Sequence, residues 1–282
     1  MDLKPLLQAQ RQEITENGIY LFLAKKSKNK NNTKILTEIA GDELKHYHLL
    51  KKYTHQDVSR KTLLYYFYLL VSTVLGITFA LRLMERGEDR AIKMYSQFPK
   101  EIGQKMLADE NKHEQKLLDL LSEKRIEYAG SIVLGLNDAL VELTGSLAGL
   151  TFALNNGKLI AMTGMIIGFA ASLSMAASAY LSSKEEKDKS KSASLSALFT
   201  GITYILTVAI LILPYLLFKN IYFALIVMLL EAVFIIAFYT YYISVAKNTP
   251  FWKKFLGMVG ISLSVAAISF GVGRLLKLYF GV

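Results

Sequence analysis

The chain has 282 residues, a hydrophobic content of 52%, a formal net charge of +10 and no cysteine. The lack of cysteine excludes disulfides, cysteine-ligated zinc and iron–sulfur clusters, and the high apolar content argues against overall disorder. Residues 1–127 contain 39 of the 56 charged residues and all four histidines. We therefore predict a soluble basic domain over 1–127 and a membrane domain over 128–282. The basic excess favours a domain that faces anionic lipid over one that binds nucleic acid.

The first domain contains the pattern E-x-x-H twice, as Glu43–His46 and Glu110–His113. On a helix this spacing places the carboxylate and the imidazole on one face, one turn apart. A single copy is weak evidence, because both residue types are common on solvated helices. Two copies are typical of ferritin-like di-iron bundles, in which each of the other two helices adds a glutamate.

The first of these additional glutamates is predicted from the position of a turn. A Lys-Asn-Lys-Asn turn at 28–31 makes Glu16 level with Glu43 in an antiparallel helical hairpin. Other polar residues beside the predicted ligands are interpreted as charges on the solvated face. These are Glu13, Asp109 and Glu114.

A second hairpin is predicted to turn at 98–99, where a proline disfavours continued helix. This turn makes Glu88 level with Glu110, and Glu85 lies one turn further back on the same face. An oxygen-rich site with two imidazoles suits iron, with manganese as the second choice. The complete predicted ligand set is Glu16, Glu43, His46, Glu85, Glu88, Glu110 and His113.

Residues 63–81 form a charge-free apolar run of 19 residues, which is long enough for a membrane span. If this run crossed the bilayer, the first two helices of the bundle would lie on the opposite side from the last two. The four-helix metal site would then be unable to form. We therefore predict a crossover segment bent near Gly76, whose excess apolar surface is buried in a dimer interface or against the membrane.

The second domain contains five apolar stretches of 19 to 26 residues, and a spanning helix needs about 20. They are residues 132–154, 159–182, 195–218, 221–246 and 255–273. An odd number of spans places the two termini on opposite sides of the membrane. The loops at 183–194 and 247–254 are rich in lysine, so the positive-inside rule predicts a cell-membrane protein with residues 1–127 in the cytoplasm.

Two acidic residues of the first span, Asp138 and Glu142, share a helix face with Gly145 and Gly149. A third acid, Glu231, lies in the fourth span, and its role stays open. An ionisable group in hydrocarbon costs about 2.5 kcal/mol or more, so each is a candidate functional residue. The glycines form a G-x-x-x-G pattern, which allows another helix to approach closely.

The second span carries a stripe of small residues that is interrupted by one large side chain, Met175. The stripe contains Gly164, Gly168, Ala171, Met175 and Ser178. We predict that this stripe meets the acidic face of the first span and forms a polar cation path with Asp138, Glu142 and Met175. In the alternative interpretation, the glycines only pack helices and Met175 only fills a gap.

These motifs resemble two known families. The order of glutamate, E-x-x-H, E-x-x-E and E-x-x-H in residues 1–127 resembles the rubrerythrin branch of ferritin-like proteins. The segments Gly-Leu-Asn-Asp-Ala-Leu at 135–140 and Ser-Met-Ala-Ala-Ser-Ala-Tyr-Leu at 174–181 resemble the first- and second-helix motifs of the vacuolar iron transporter family. The fused arrangement is similar to that of prokaryotic membrane-bound ferritins.

The resemblance implies an all-α homodimer with a cation path between its subunits, in which Asp138 and Met175 are transport residues. It implies export of Fe²⁺, and often Mn²⁺, from the cytosol in exchange for protons. Two departures stand out: Ala179 replaces a glutamate that relatives often have, and the loop at 183–194 is too short for a metal-binding insert. Without cysteine, the chain also lacks the rubredoxin domain that supplies electrons in rubrerythrins, which argues against peroxidase turnover.

Three functions remain open at this point. The first is a transporter whose cytosolic di-iron bundle captures or oxidises iron. The second is a membrane-tethered ferroxidase or peroxide-scavenging enzyme without transport, which the intramembrane acids disfavour because an anchor needs none. The third is a bundle that senses metal and gates a transporter without redox chemistry.

Overall fold

The computed structural model describes residues 3–95, 98–118, 128–185, 192–247 and 249–280. Within these ranges the chain is helical and contains no strand, which confirms the all-α prediction. The chain forms two compact units, residues 1–123 and 124–282. The predicted boundary at 127 and half of the predicted loop at 183–194, residues 186–191, lie outside the described residues.

Within its described residues, the first unit contains four long helices and one short one. They are α1 (Leu3–Lys26), α2 (Lys30–Thr54), the short α3 (Thr62–Val74), α4 (Ile77–Tyr95) and α5 (Lys100–Leu118). Asn29 is the N-cap of α2, because its side chain accepts hydrogen bonds from the backbone N–H groups of the first turn of this helix. Apolar residues of α1, α2 and α4, among them Leu23 and Ile39, form a buried core in this unit.

The apolar run at 63–81 forms a crossover and not a single span. It is divided by Gly76, whose φ of 102° belongs to the left-handed region and interrupts the helix, as predicted. The 13 residues of α3 are about 20 Å long, which is too short for a hydrocarbon core of about 30 Å. Tyr65 packs this helix against Gly18 of α1, and the Arg60 guanidinium lies 4.0 Å from the tyrosine ring centroid.

In the part of the second unit that the structure describes, five helices are long and apolar enough to cross a membrane, which confirms the predicted number of spans. They are α6 (Ala129–Leu154), α7 (Gly157–Glu185), α8 (Ala193–Leu217), α9 (Ile221–Ala246) and α10 (Phe251–Phe280). This unit therefore makes the chain a multi-pass membrane protein.

Gly145 and Gly149 of the first span pack against the fifth span and not against the second. A Cβ atom at Gly145 would lie 2.8 Å from Val265, and one at Gly149 would lie 3.0 Å from the backbone oxygen of Ser269. The predicted close packing of the G-x-x-x-G face is therefore correct. The predicted meeting of this face with the small-residue stripe of the second span is wrong within the chain.

The stripe of the second span packs against large side chains. Gly164 lies against Leu147 of α6, and Gly168 lies against Val208 of α8. The helix wheel correctly groups residues that share a face, but small residues on two helices need not face each other. Here each small face accepts a bulky side chain or the backbone of a different neighbour.

Gly273→Val is expected to destabilise the membrane unit, because a Cβ at this position would clash with the backbone oxygen of Gly149. Overpacking of this kind costs about 1–3 kcal/mol. The matched control is Gly271→Val, two residues earlier, where a Cβ meets no atom within 4 Å. Thermal unfolding in detergent should show a lower Tm for Gly273→Val alone. Equal Tm values for the two variants would contradict the close approach of α6 and α10.

Candidate metal centre and intramembrane carboxylates

The two E-x-x-H motifs meet inside the first unit. Helix α2 supplies Glu43 and His46, helix α5 supplies Glu110 and His113, and all four side chains are buried. Glu43 lies between the imidazoles: its Oε1 is 3.3 Å from Nδ1 of His113, and its Oε2 is 3.4 Å from Nδ1 of His46. This carboxylate therefore offers one oxygen to each half of the cluster, where it would help to hold a metal ion.

Glu13 of α1 also belongs to the cluster, which contradicts its assignment to the solvated face. Its side chain is fully buried, and its Oε2 lies 3.4 Å from Nδ1 of His46. On the other side, Oε2 of Glu110 lies 3.5 Å from Nδ1 of His113. One ligand atom from each of Glu13, Glu43, His46 and Glu110 can be chosen so that all four lie within 4.8 Å of one another.

The position of the first turn explains why Glu13 is level with Glu43. Helix α1 ends at Lys26 and α2 begins at Lys30, so the turn is centred on residue 28 and not midway between 29 and 30. Glu43 lies 15 residues after this centre, and Glu13 lies 15 residues before it. A shift of one and a half residues in the turn therefore moves the opposing position by three, which is nearly one helical turn.

The structure describes the side chains of two of the three remaining predicted ligands. Glu16 is buried and accepts a hydrogen bond from Nε2 of Gln12. Glu85 of α4 is half-buried and forms an ion pair of 2.7 Å with Arg82. The side chain of Glu88 lies outside the described residues, so Glu16, Glu85 and Glu88 stay predictions as metal ligands.

Two aspartates orient the imidazoles from outside the cluster. Oδ2 of Asp109 lies 3.3 Å from Nε2 of His46, and Oδ2 of Asp42 lies 3.3 Å from Nε2 of His113. Each aspartate directly precedes the glutamate of one E-x-x-H motif and contacts the histidine of the other. Such a partner on the second ring nitrogen is typical of metal-bound histidine. The sequence predicted that Asp109 is only a charge on the solvated face, and its contact with His46 shows that this prediction is wrong. The side chain of Glu114 lies outside the described residues.

Crowding of carboxylates and imidazoles shifts their pKa values strongly. Burial raises the pKa of Glu13 well above its usual range. Burial acts in the same direction on Glu43, but the two neighbouring imidazoles outweigh it and hold its pKa at about 2. Burial alone would lower the histidine pKa values, yet the adjacent carboxylates raise that of His46 to about 11 and that of His113 to about 10. In the metal-free protein both imidazoles therefore carry a proton at pH 7.

The donor set fits a pair of divalent transition-metal ions. Nδ1 of His46, Nδ1 of His113 and Oε2 of Glu43 are buried and make no hydrogen bond within the described part of the chain. Carboxylate oxygens with two imidazole nitrogens suit iron, and they also accept manganese. Glu13, His46 and Glu43 would hold one ion, and Glu43, His113 and Glu110 would hold the other. Bound iron would supply a redox-active centre at this position.

Metal binding to the bundle is expected to release at least two protons per chain at pH 7, because a ligating imidazole must be neutral. The apparent affinity should therefore fall as the pH is lowered, by about tenfold per pH unit for each released proton. Calorimetric titration with Mn²⁺ in two buffers of different ionisation enthalpy measures the number directly. Release of no proton would contradict ligation through His46 and His113.

Two acidic residues of the second unit lie on α6. Asp138 and Glu142 lie one turn apart, and Asp138 is half-buried whereas Glu142 is exposed on the single chain. The hydroxyl of the fully buried Tyr204, on α8, donates a hydrogen bond of 2.8 Å to Oε2 of Glu142. This bond fixes one oxygen of the carboxylate and leaves the other available to a cation.

Neighbouring groups complete the polar surface of this unit. The hydroxyl of Tyr239, on α9, donates a hydrogen bond to Oδ1 of Asn137. Met175 is half-buried and packs against the core shared by the spans, and Glu231 of α9 is half-buried as well. The tyrosine partners were not predicted, although a tyrosine within an apolar span is a signal in itself, because its buried hydroxyl needs a hydrogen-bond partner.

The fold defines a multi-pass membrane protein whose N-terminal helical bundle contains a buried Glu/His cluster that is compatible with metal binding. Comparison with protein families supports both parts: residues 4–121 match the family model described as Rubrerythrin, and residues 129–194 match the model described as the VIT family. The chain is therefore similar to rubrerythrins over most of its first unit and to the VIT family over part of its second unit. The first match indicates di-iron binding, and the second indicates membrane transport of metal ions. No curated protein matches the chain.

Proposed function

We propose that this protein exports Fe²⁺, and also Mn²⁺, from the cytosol across the cell membrane in exchange for protons. The single observation that carries the proposal is the pair Asp138 and Glu142 on one face of a membrane span, with Glu142 held by Tyr204. A helix that serves only as an anchor gains nothing from two carboxylates, whose placement in hydrocarbon is costly. Two adjacent carboxylates bind a divalent cation or, alternatively, protons, which provides a basis for exchange.

The transported ion is proposed to pass between two copies of the chain. Glu142 is exposed on the single chain although it lies in a membrane span. A carboxylate at such a position avoids lipid if a second subunit covers it, which supports the homodimer that the resemblance implies. Met175 offers a soft thioether that favours transition metals over Mg²⁺ or Ca²⁺. Asp138, Glu142 and Met175 are the proposed transport residues.

The orientation follows from the distribution of basic residues. The segments at 183–194 and 247–254 carry seven lysines, and both lie on the same side of the membrane as the start of the first span. The positive-inside rule therefore supports a cytoplasmic bundle and a C-terminus on the opposite side. Metal would be collected in the cytoplasm and released outside.

The bundle is proposed to capture iron before transport, and its two-ion site also supports iron oxidation or sensing. A tethered di-iron enzyme without transport is the second candidate, favoured by the buried Glu/His cluster, which is assembled within the first unit alone. Dioxygen consumption by the full chain on addition of Fe²⁺ distinguishes an oxidising bundle from one that only captures or senses metal. Stoichiometric consumption is expected of a ferroxidase, and none is expected of a sensor.

The proposed function is tested by metal uptake into proteoliposomes in which the bundle faces outward. With an acidic interior, we expect Fe²⁺ and Mn²⁺ to enter and the interior to become more alkaline as protons leave. Mg²⁺ serves as the control ion, because hard oxygen ligands suit it better than a thioether. Metal entry that is equally fast with and without the pH gradient would contradict proton exchange. The absence of any entry would contradict transport.

A further inference from the structure

The membrane unit contains a cleft that neither the metal centre nor the proposed transport residues explain. Its volume is about 370 Å³, which falls within the range of ligand pockets, roughly 300–1,000 Å³. It lies between three helices, at the start of α6, the end of α9 and the start of α10. The lining residues are Val133, Asn137, Tyr239, Thr240, Ile243, Lys253, Lys254, Gly257, Met258 and Ile261.

The helix ends that form the cleft all lie at one face of the membrane. The first span starts there, the fourth span ends there and the fifth span starts there. The adjacent Trp252 is 68% exposed, as is typical of an aromatic residue at the level of the lipid headgroups. The cleft therefore opens where headgroups and the first acyl carbons of a lipid lie.

The chemistry of the lining changes with depth. Lys253 and Lys254 are exposed at the mouth, and neither forms an ion pair within the described part of the chain. Asn137, which is bound by the hydroxyl of Tyr239, provides amide and hydroxyl groups deeper inside. Apolar side chains, among them Ile243 and Met258, form the rest of the wall. Two ammonium groups beside a largely apolar wall match the headgroup and the first acyl carbons of a phospholipid.

The charge of the surrounding chain selects an anion. Residues 232–282 contain five basic residues and not one aspartate or glutamate. The two lysines at the mouth therefore have no compensating acid nearby in the sequence, and lysine ammonium groups bind phosphate well. A cation on its way through the membrane would be repelled here, so the cleft is not part of the metal path.

We propose that this cleft binds the phosphodiester headgroup of an anionic phospholipid through Lys253 and Lys254, with the upper part of an acyl chain against Ile243 and Met258. Basic pockets between spans on the cytoplasmic side are suited to such lipids, because the cytoplasmic leaflet is anionic. The bound lipid joins α6 to α9 and α10, so it stabilises the contact of the first span with the last two.

Gly257 offers a sharp way to close the cleft. It lines the cavity, and a Cβ placed on it meets no atom within 4 Å. A leucine at this position therefore enters the cleft without displacing protein atoms. Gly260 lies one turn further along the same helix, also has open space at its Cβ and does not line the cleft. Gly260→Leu is the matched control.

The test is the thermal stability of the delipidated full chain in neutral detergent, with phosphatidylglycerol, phosphatidylcholine or inorganic phosphate added. We expect phosphatidylglycerol alone to raise the Tm, by at least about 3 °C at saturation. The rise should vanish in the double variant Lys253→Gln/Lys254→Gln and, independently, in Gly257→Leu. It should persist in Gly260→Leu and in Arg274→Gln/Lys277→Gln, which removes two charges from the other end of the same helix.

Three results would overturn the proposal. An equal rise with inorganic phosphate would assign the cleft to a small free anion, and an equal rise with phosphatidylcholine would remove the selection for charge. An equal loss in Arg274→Gln/Lys277→Gln would show that net charge, and not the cleft, attracts the lipid. The Tm of each variant without lipid shows whether it is folded, and the two independent ways of blocking the cleft keep the test decisive if one variant is not.

Discussion

Glu43→Gln is expected to abolish tight metal binding at both positions of the bundle. Glu43 is the only described residue whose two oxygens contact the two imidazoles, at 3.3 and 3.4 Å, so its loss removes a ligand from each half of the site. Loss of a group that merely orients a ligand costs about 10- to 100-fold in metal affinity, and loss of a shared charged ligand should cost more. Metal content of the purified chain, measured after dialysis against Mn²⁺, should fall from two ions to none.

The matched control for this variant is Glu38→Gln on the same helix. Glu38 is exposed and pairs with Lys116 at 3.4 Å, so its replacement removes the same charge outside the cluster. We expect the control to retain both ions. Retention of two ions by Glu43→Gln would show that the metal centre is built from other residues. Equal loss in the control would attribute the effect to general electrostatics of the bundle.

Asp138→Asn is expected to reduce metal flux at least about tenfold, since a cation that loses ~1.4 kcal/mol of stabilisation binds tenfold more weakly. The amide has the size of the carboxylate but carries no charge and exchanges no proton. Uptake of Fe²⁺ into proteoliposomes at a fixed pH gradient measures the effect. The metal content of the bundle should be unchanged, because its ligands belong to the other compact unit.

A suitable control for this variant is Glu185→Gln at the exposed end of α7. It removes an acidic charge from a helix end and should leave the flux unchanged. A wild-type rate in Asp138→Asn would exclude this carboxylate from the path. Tyr204→Phe provides an intermediate case: it removes only the hydrogen bond to Glu142, so we expect a smaller loss of flux than for Asp138→Asn.

The helices of the bundle follow from the sequence more closely than the identity of its ligands does. Two E-x-x-H motifs and two turns suffice to predict four antiparallel helices and the convergence of Glu43, His46, Glu110 and His113. The prediction of which glutamate on α1 lies level with Glu43 depends on the position of the turn. A turn centred on residue 28 gives Glu13, and a centre one and a half residues later gives Glu16. The exact end of a helix depends on local capping, here by Asn29, which hydrophobic periodicity does not reveal.

In the membrane unit, hydropathy predicts the number of spans but not their neighbours. The helix wheel shows that Gly145 and Gly149 share a face, yet the partner of this face is the fifth span, which is far away in sequence. The contact of Tyr204 with Glu142 is likewise a property of tertiary packing. Bilayer length constrains each helix alone, whereas helix pairing depends on the mutual fit of side chains, which a single sequence does not display.

Export of Fe²⁺ in exchange for protons is tested by the initial rate of Fe²⁺ entry into proteoliposomes with an acidic interior. This rate is compared among wild type, Glu43→Gln and Asp138→Asn. Proton-coupled export predicts gradient-dependent flux in the wild type and flux at least about tenfold lower in Asp138→Asn at subsaturating Fe²⁺. Glu43→Gln should transport at saturating Fe²⁺ but slow down at low concentrations, where capture by the bundle limits supply. No flux in a wild-type chain that still binds two metal ions would contradict transport. The protein would then be interpreted as a membrane-tethered di-iron protein.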